Sequence, residues 1–384
     1  MPTPNVDPTL PWSVYSTITH DLNFFALTWF RTSSGRLLAG GRNFVAGSAQ
    51  IMRSSADHTT WATVLDVVGG VSRGVHAIVE LPSGRLVAML QDGTGAPTLP
   101  NAFYVSDDDG ATWVLLGTLT IGATNYMTFS NVGRQQLTAW STTVWTVPAV
   151  VVPGAAPTVI LRTADGGVTW AVAQTLFVGA VEFTDVPASL ESGVGLTGVF
   201  DGANPNPSGL YRSPDVGATW TLVLNPDPVI TQNYRGGFVR RASTGTVLVG
   251  GVSGAAAMVR RSLDAGLTWG AVIAPFGSYV SGFYDINAGQ GVLATSANAR
   301  LVYRSLDDGV TWGLVADLTP FALVSNLLGF LALPDRILLG NETRALYSSG
   351  LAFPSGGDSA GKRRGRRLGD FAVGQAAHGA IHSR

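Results

Sequence analysis

The chain has no cysteine in its 384 residues, which excludes disulfides and thiolate metal sites and leaves the redox compartment open. No apolar run reaches the roughly 18 residues that a membrane helix needs, so no membrane partner is expected. The segment Met1–Asp7 has neither a basic region nor an apolar one. No secretion signal is therefore read, and the expected location is a virion or other particle, otherwise the cytoplasm. There is no phosphate-binding glycine loop and no nucleophile elbow. Of the five histidines, His378 and His382 lie four apart but have no third ligand nearby, so no metal and no cofactor is expected. Charged residues make up only 13% of the chain, and four of them are glutamates.

Glycine and proline are abundant. Forty-eight glycines, twenty prolines and 46% hydrophobic residues fit many short strands and tight turns around a large core. The order within that composition is a repeat. The stretch Arg304-Ser305-Leu306-Asp307-Asp308-Gly309-Val310-Thr311-Trp312 recurs as 261–269, 212–220, 162–170 and 105–113. A further copy, 53–61, reads as degraded, with Ala56 at the Asp position and His58 at the Gly position.

The tryptophans that end these copies stand at 61, 113, 170, 220, 269 and 312. One more period back falls near position 12, where Trp12 stands, while Leu346-Tyr347-Ser348 matches the strand that leads into a copy. The seventh unit is thus split between the two ends of the chain. Units of four short strands at this period are propeller blades. The expected fold is an all-β, seven-bladed β-propeller of four-stranded blades over residues 1–354, its ring closed by the N-terminal strand completing the last blade. Six blades plus an unrelated extension would leave Trp12 unexplained. Residues 355–384 read as a Gly/Ser linker and a basic tail. The loops between second and third strands read as long in blades 1 to 4 (41–48, 91–101, 141–157 and 201–208), and long loops on a rigid scaffold are where binding lives.

The pattern Ser/Thr-x-Asp-x-Gly-x-Thr-Trp resembles the Asp-box, or bacterial neuraminidase repeat, of the sialidase-like superfamily. That superfamily includes sialidases, two-propeller xyloglucanases, a sorting receptor ectodomain and seven-bladed photosystem assembly factors. The resemblance implies a propeller in which the boxes lie at the periphery, away from an active site. Asp108, Asp165, Asp215, Asp264 and Asp307 are accordingly read as structural turn residues, their carboxylates accepting nearby backbone N–H groups. A sialidase would also need an arginine for the substrate carboxylate on an early inner strand. The nearest match, Arg73-Gly74-Val75-His76-Ala77, has its arginine one residue too early, and a one-residue slip turns a strand side chain to the other face.

Placing the innermost strands in register gathers Asn23, Arg73, Tyr126, Glu182, Tyr234, Arg235 and Tyr279 near one channel mouth, with Trp145 joining from its loop. These are the expected ligand-binding residues; no catalytic residue is assigned. Glu182, Asp185, Asp201 and Asp285 could supply a hydrolase's carboxylate pair, but no spacing selects one. In the tail, Lys362, Arg363, Arg364, Arg366 and Arg367 read as a docking site for other protein subunits of an assembly rather than for nucleic acid. The expectation is a non-catalytic binding or structural module of a larger particle such as a phage tail, recognising glycan or protein. The alternatives are a sialidase-like glycoside hydrolase and an intracellular assembly factor.

Overall fold

The computed structural model describes residues 12–348 except 69–72, 93–99, 129–136, 153–156, 178–182, 185–187, 191–192, 201–208, 225–231, 234–237, 241–243, 254–255, 274–279, 287–290, 297–300, 320–326, 333–336 and 342–344. Seven antiparallel sheets follow one another along the chain as seven blades. Blade 1 is Phe24–Arg31, Leu37–Asn43, Ser48–Ser54 and Trp61–Val68; blade 2 is Arg73–Glu80, Leu86–Asp92, Ala102–Ser106 and Val114–Thr118. Blade 6 repeats the plan with Val280–Ile286, Gly291–Ser296, Leu301–Ser305 and Gly313–Asp317. In blade 7 the outer strand is Ser13–Thr17, with Ser13 opposite Ser348 and Val14 opposite Tyr347. The N-terminal strand thus closes the ring, and Trp12 packs beside Tyr347 as expected.

Adjacent residues along a strand face opposite neighbours, because a strand's side chains alternate. Leu37 and Ala39 join Leu331, Leu338 and Leu346 of blade 7, while Leu38 joins Val75, Ile78 and Leu86 of blade 2. Both faces of each blade are therefore buried. This explains why the middle strands read as continuous apolar runs.

The box turns share one hydrogen-bond plan. In blade 2, Ser106 Oγ donates to Asp108 Oδ1 at 2.8 Å and accepts from the Gly110 amide at 2.9 Å. The Thr112 amide and hydroxyl donate to the two Asp108 oxygens at 2.8 and 2.6 Å, and the Trp113 indole N–H donates to the Gly110 carbonyl at 3.2 Å. In the boxes of blades 2 to 6 the turn passes through two consecutive left-handed residues, of which the second is Gly; for Asp109 and Gly110 φ is 60° and 80°.

Three expectations are corrected. The first box is degraded as read, but Asp57 rather than Ala56 supplies its carboxylate, accepting from Ser55 Oγ at 2.6 Å and from Thr59 Oγ1 at 2.8 Å, and His58 alone takes the left-handed conformation. The blade 1 loop 41–48 contracts to a turn over 44–47, because Asn43 Oδ1 accepts the Val45 and Ala46 amides. In blade 3 the expected loop 141–157 contains a strand. Trp145–Val152 is a strand paired along Thr158–Thr163, Pro148 included. Its Val-rich sequence favours pleated backbone, and Pro148 lies between the two stretches that pair inward, Trp145–Thr146 and Val150–Val152. The irregularity moves inward, where the innermost strand is divided into Thr124–Met127 and Thr138–Ala139.

Candidate functional site

Inner strands start at one end of the ring, and their turns into the second strands lie at the other end together with the boxes. Asn23 and Tyr126, both expected at the mouth, do lie at starts of inner strands, Asn23 exposed and Tyr126 buried. Trp145 does not join them. It opens the second strand of blade 3, on the turn face, and is 1% exposed with its ring against Trp170. Register places it there: a second strand begins where the first one ends. Arg73 lies in the inner strand of blade 2, opposite Asp92; its side chain, with Glu182, Tyr234, Arg235, Tyr279 and Lys362, Arg363, Arg364, Arg366 and Arg367, lies outside the described residues. The described part of the mouth holds Arg42 over the rings of Phe25 and Phe44. It also holds His76, a bulge residue whose burial, with Arg42 adding, depresses its pKa to about 3, so it stays neutral.

The turn face offers more chemistry. A cavity of about 650 Å³ spans blades 1 to 3, lined by Ser33, Ser34, Glu80, Arg85, Asp107, Asp109, Asp165 and Trp145 among others. Glu80 ends the inner strand of blade 2. Its carboxylate accepts from the Ser33 amide at 2.7 Å and the Ser33 hydroxyl at 2.5 Å. Burial nonetheless raises its pKa; the Ser33 bonds oppose that, and the Asp109 charge adds to it. Asp109 accepts from Ser34 Oγ at 2.6 Å and pairs with Arg53 at 3.1 Å. Because Ser33 and Ser34 are consecutive, one turn of blade 1 holds both carboxylates. Asp107 is bound in two-point fashion by Arg85 at 2.7 and 2.8 Å, which lowers its pKa.

One carboxyl whose pKa burial raises thus lines the same cavity as carboxylates held by arginines. Two carboxyls in unlike surroundings can divide acid and base roles between them. The sequence did not single out Glu80. It carries no motif, and its surroundings come from the turns of two different blades. Among the described residues no three His, Asp or Glu side chains gather as a metal site.

No family model and no curated sequence matches the chain. Among solved structures it resembles a GH74 enzyme of Niastella koreensis (TM-score 0.54, 18% identity, 79% of this chain and 47% of that one). It also resembles the GH74 xyloglucanase of Xanthomonas campestris (0.58, 16%, 88% and 53%). A third neighbour is an inactivated virginiamycin B lyase of Staphylococcus aureus (0.60, 10%, 88% and 98%). The chain spans about half the length of each GH74 enzyme. At these identities the likeness is one of fold, a seven-bladed propeller. Catalytic propellers, two of them glycoside hydrolases, stand among the neighbours, and they overturn the expectation of a non-catalytic particle component.

Proposed function

We propose that the chain is a glycoside hydrolase working in the turn-face cavity of blades 1 to 3. The observation that carries this is that Glu80, whose pKa burial raises, lines one cavity with Asp109, which pairs with Arg53. Glu80 donates its proton to the glycosidic oxygen as the bond to the anomeric carbon breaks. Asp109 takes a proton from the water whose oxygen bonds to that carbon. Glu80 then carries the negative charge and Asp109 the proton, and exchange with solvent restores both.

The cavity favours a neutral glycan over a sialylated one. Arg85 lines it, but its guanidinium is already bound to Asp107, and Asp107, Asp109 and Asp165 make its lining acidic. The finer sialidase-like reading therefore gives way to a hydrolase of uncharged sugars. The test is a panel of aryl glycosides and polysaccharides, including the xyloglucan for which the Xanthomonas neighbour is named. Turnover of a neutral member that falls 10²- to 10⁴-fold in Glu80→Gln supports the reading. Turnover of none, or activity untouched in both Glu80→Gln and Asp109→Asn, overturns it.

A further inference from the structure

The turns of blades 5 and 6 carry apolar side chains that the fold itself does not use. Leu263, Leu267, Leu306, Val310 and Leu314 are 45% to 77% exposed. In blade 2 the positions of Leu263 and Leu267 are Asp107 and Ala111, and in blade 4 they are Pro214 and Ala218. The two leucine-bearing turns adjoin each other, since Arg261 Nε donates to the Asp308 carbonyl at 2.6 Å. Asp264, Asp307 and Asp308 stand among the leucines in sequence, so the patch is apolar with acidic residues interspersed. A clustered apolar surface of this kind marks a contact site.

We infer that this patch is the docking site of the chain's own C-terminal segment, residues 355–384. The last described strand, Ala345–Ser348, is the third of blade 7. Third strands run to the turn face, where the other blades place their boxes. The chain therefore leaves blade 7 on the face that carries the patch, one blade away from Leu306 and Leu314. Thirteen residues lie between Ser348 and Lys362, an extended reach of about 45 Å. Packed sheets lie about 10 Å apart, so blades 6 and 5 are within range. The chemistry is complementary. Lys362, Arg363, Arg364, Arg366 and Arg367 are opposite in charge to the patch's three aspartates, and Leu368, Phe371 and Val373 match its leucines in apolar character.

Lys362 is the single lysine of the chain, which makes the test direct. The full chain is treated with a carbodiimide, which joins an amine to a carboxylate in contact with it, and the monomer is mapped by mass spectrometry. The expected result is an intramolecular link from Lys362 to Asp264, Asp307 or Asp308. In Leu263→Arg/Leu306→Arg, exposed changes that leave melting unchanged, the link falls at least fivefold. Links confined to other blades overturn the inference, as do links only between two copies or a yield unaffected by the double change.

Discussion

The Nε of Arg53, at the end of the third strand of blade 1, donates to the main-chain carbonyl of Asp109 in the box of blade 2 at 2.9 Å. The same bond joins Arg162 to Val216 at 3.3 Å, Arg212 to Ala265 at 3.0 Å and Arg261 to Asp308 at 2.6 Å. Every accepting residue has a positive φ, between 54° and 60°. The arginine that opens the repeat is thus a clamp from one blade to the next, and the left-handed turn presents the carbonyl to it. At the closing junction, where no such arginine stands, Ser16 Oγ donates to the His58 carbonyl at 2.8 Å.

Removing one clamp leaves a half-buried carbonyl without its donor. Arg212→Ala should destabilise the fold by about 1–2 kcal/mol. Arg212→Lys should recover less than half of that, since a lysine cannot place a planar N–H at the same point. Urea midpoints at constant slope check both values.

Closure of the ring makes a similar prediction at the N-terminal strand. Ser16 also accepts the Trp61 indole N–H at 3.1 Å. Ser16→Ala should cost about 1–2 kcal/mol, and Trp61, one of several tryptophans, should contribute a small emission shift in the difference spectrum.

The boxes should set the acid limit of the protein. The Thr112 hydroxyl and amide hold Asp108 to a pKa of about 2, and Thr169 holds Asp165 likewise, both below the ordinary 3.8. A folded pKa that is depressed contributes stability above the unfolded value and loses it as pH falls through the folded one. Melting temperature should therefore be insensitive to these groups above about pH 4 and fall between pH 4 and pH 2. Thr112→Val should lose the hydroxyl bond and its part of that fall, with a lower melting temperature at pH 5 and a shallower acid slope.

Gly167 has φ +89°, and a Cβ there would stand 2.5 Å from the Trp145 ring. Gly167→Ala should destabilise by about 1–3 kcal/mol through strain and overpacking together. Calorimetric melting of the variant against the parent protein measures it.

The architecture was legible because a tryptophan at a fixed period survives even where the unit is cut, as Trp12 and Tyr347 show. Details set by single side chains were less so. Asp57 replaces Ala56 by sliding the turn one residue, which no pattern match to the box would find. The stretch 141–157 read as a loop, yet Trp145–Val152 pairs as a strand along Thr158–Thr163. The candidate site was the least legible part. Glu80 and Asp109 belong to one blade but are held by Ser33 and Ser34 of another, and that contact exists only after the blades pack.

The central claim rests on the proton of Glu80, and the pH profile of kcat/KM on a neutral glycan tests it most directly. The account predicts an alkaline limb above the ordinary carboxylate range, set by Glu80, and its disappearance with a 10²- to 10⁴-fold loss of rate in Glu80→Gln at unchanged melting temperature. A profile and rate that survive Glu80→Gln, or the absence of any turnover, would contradict it.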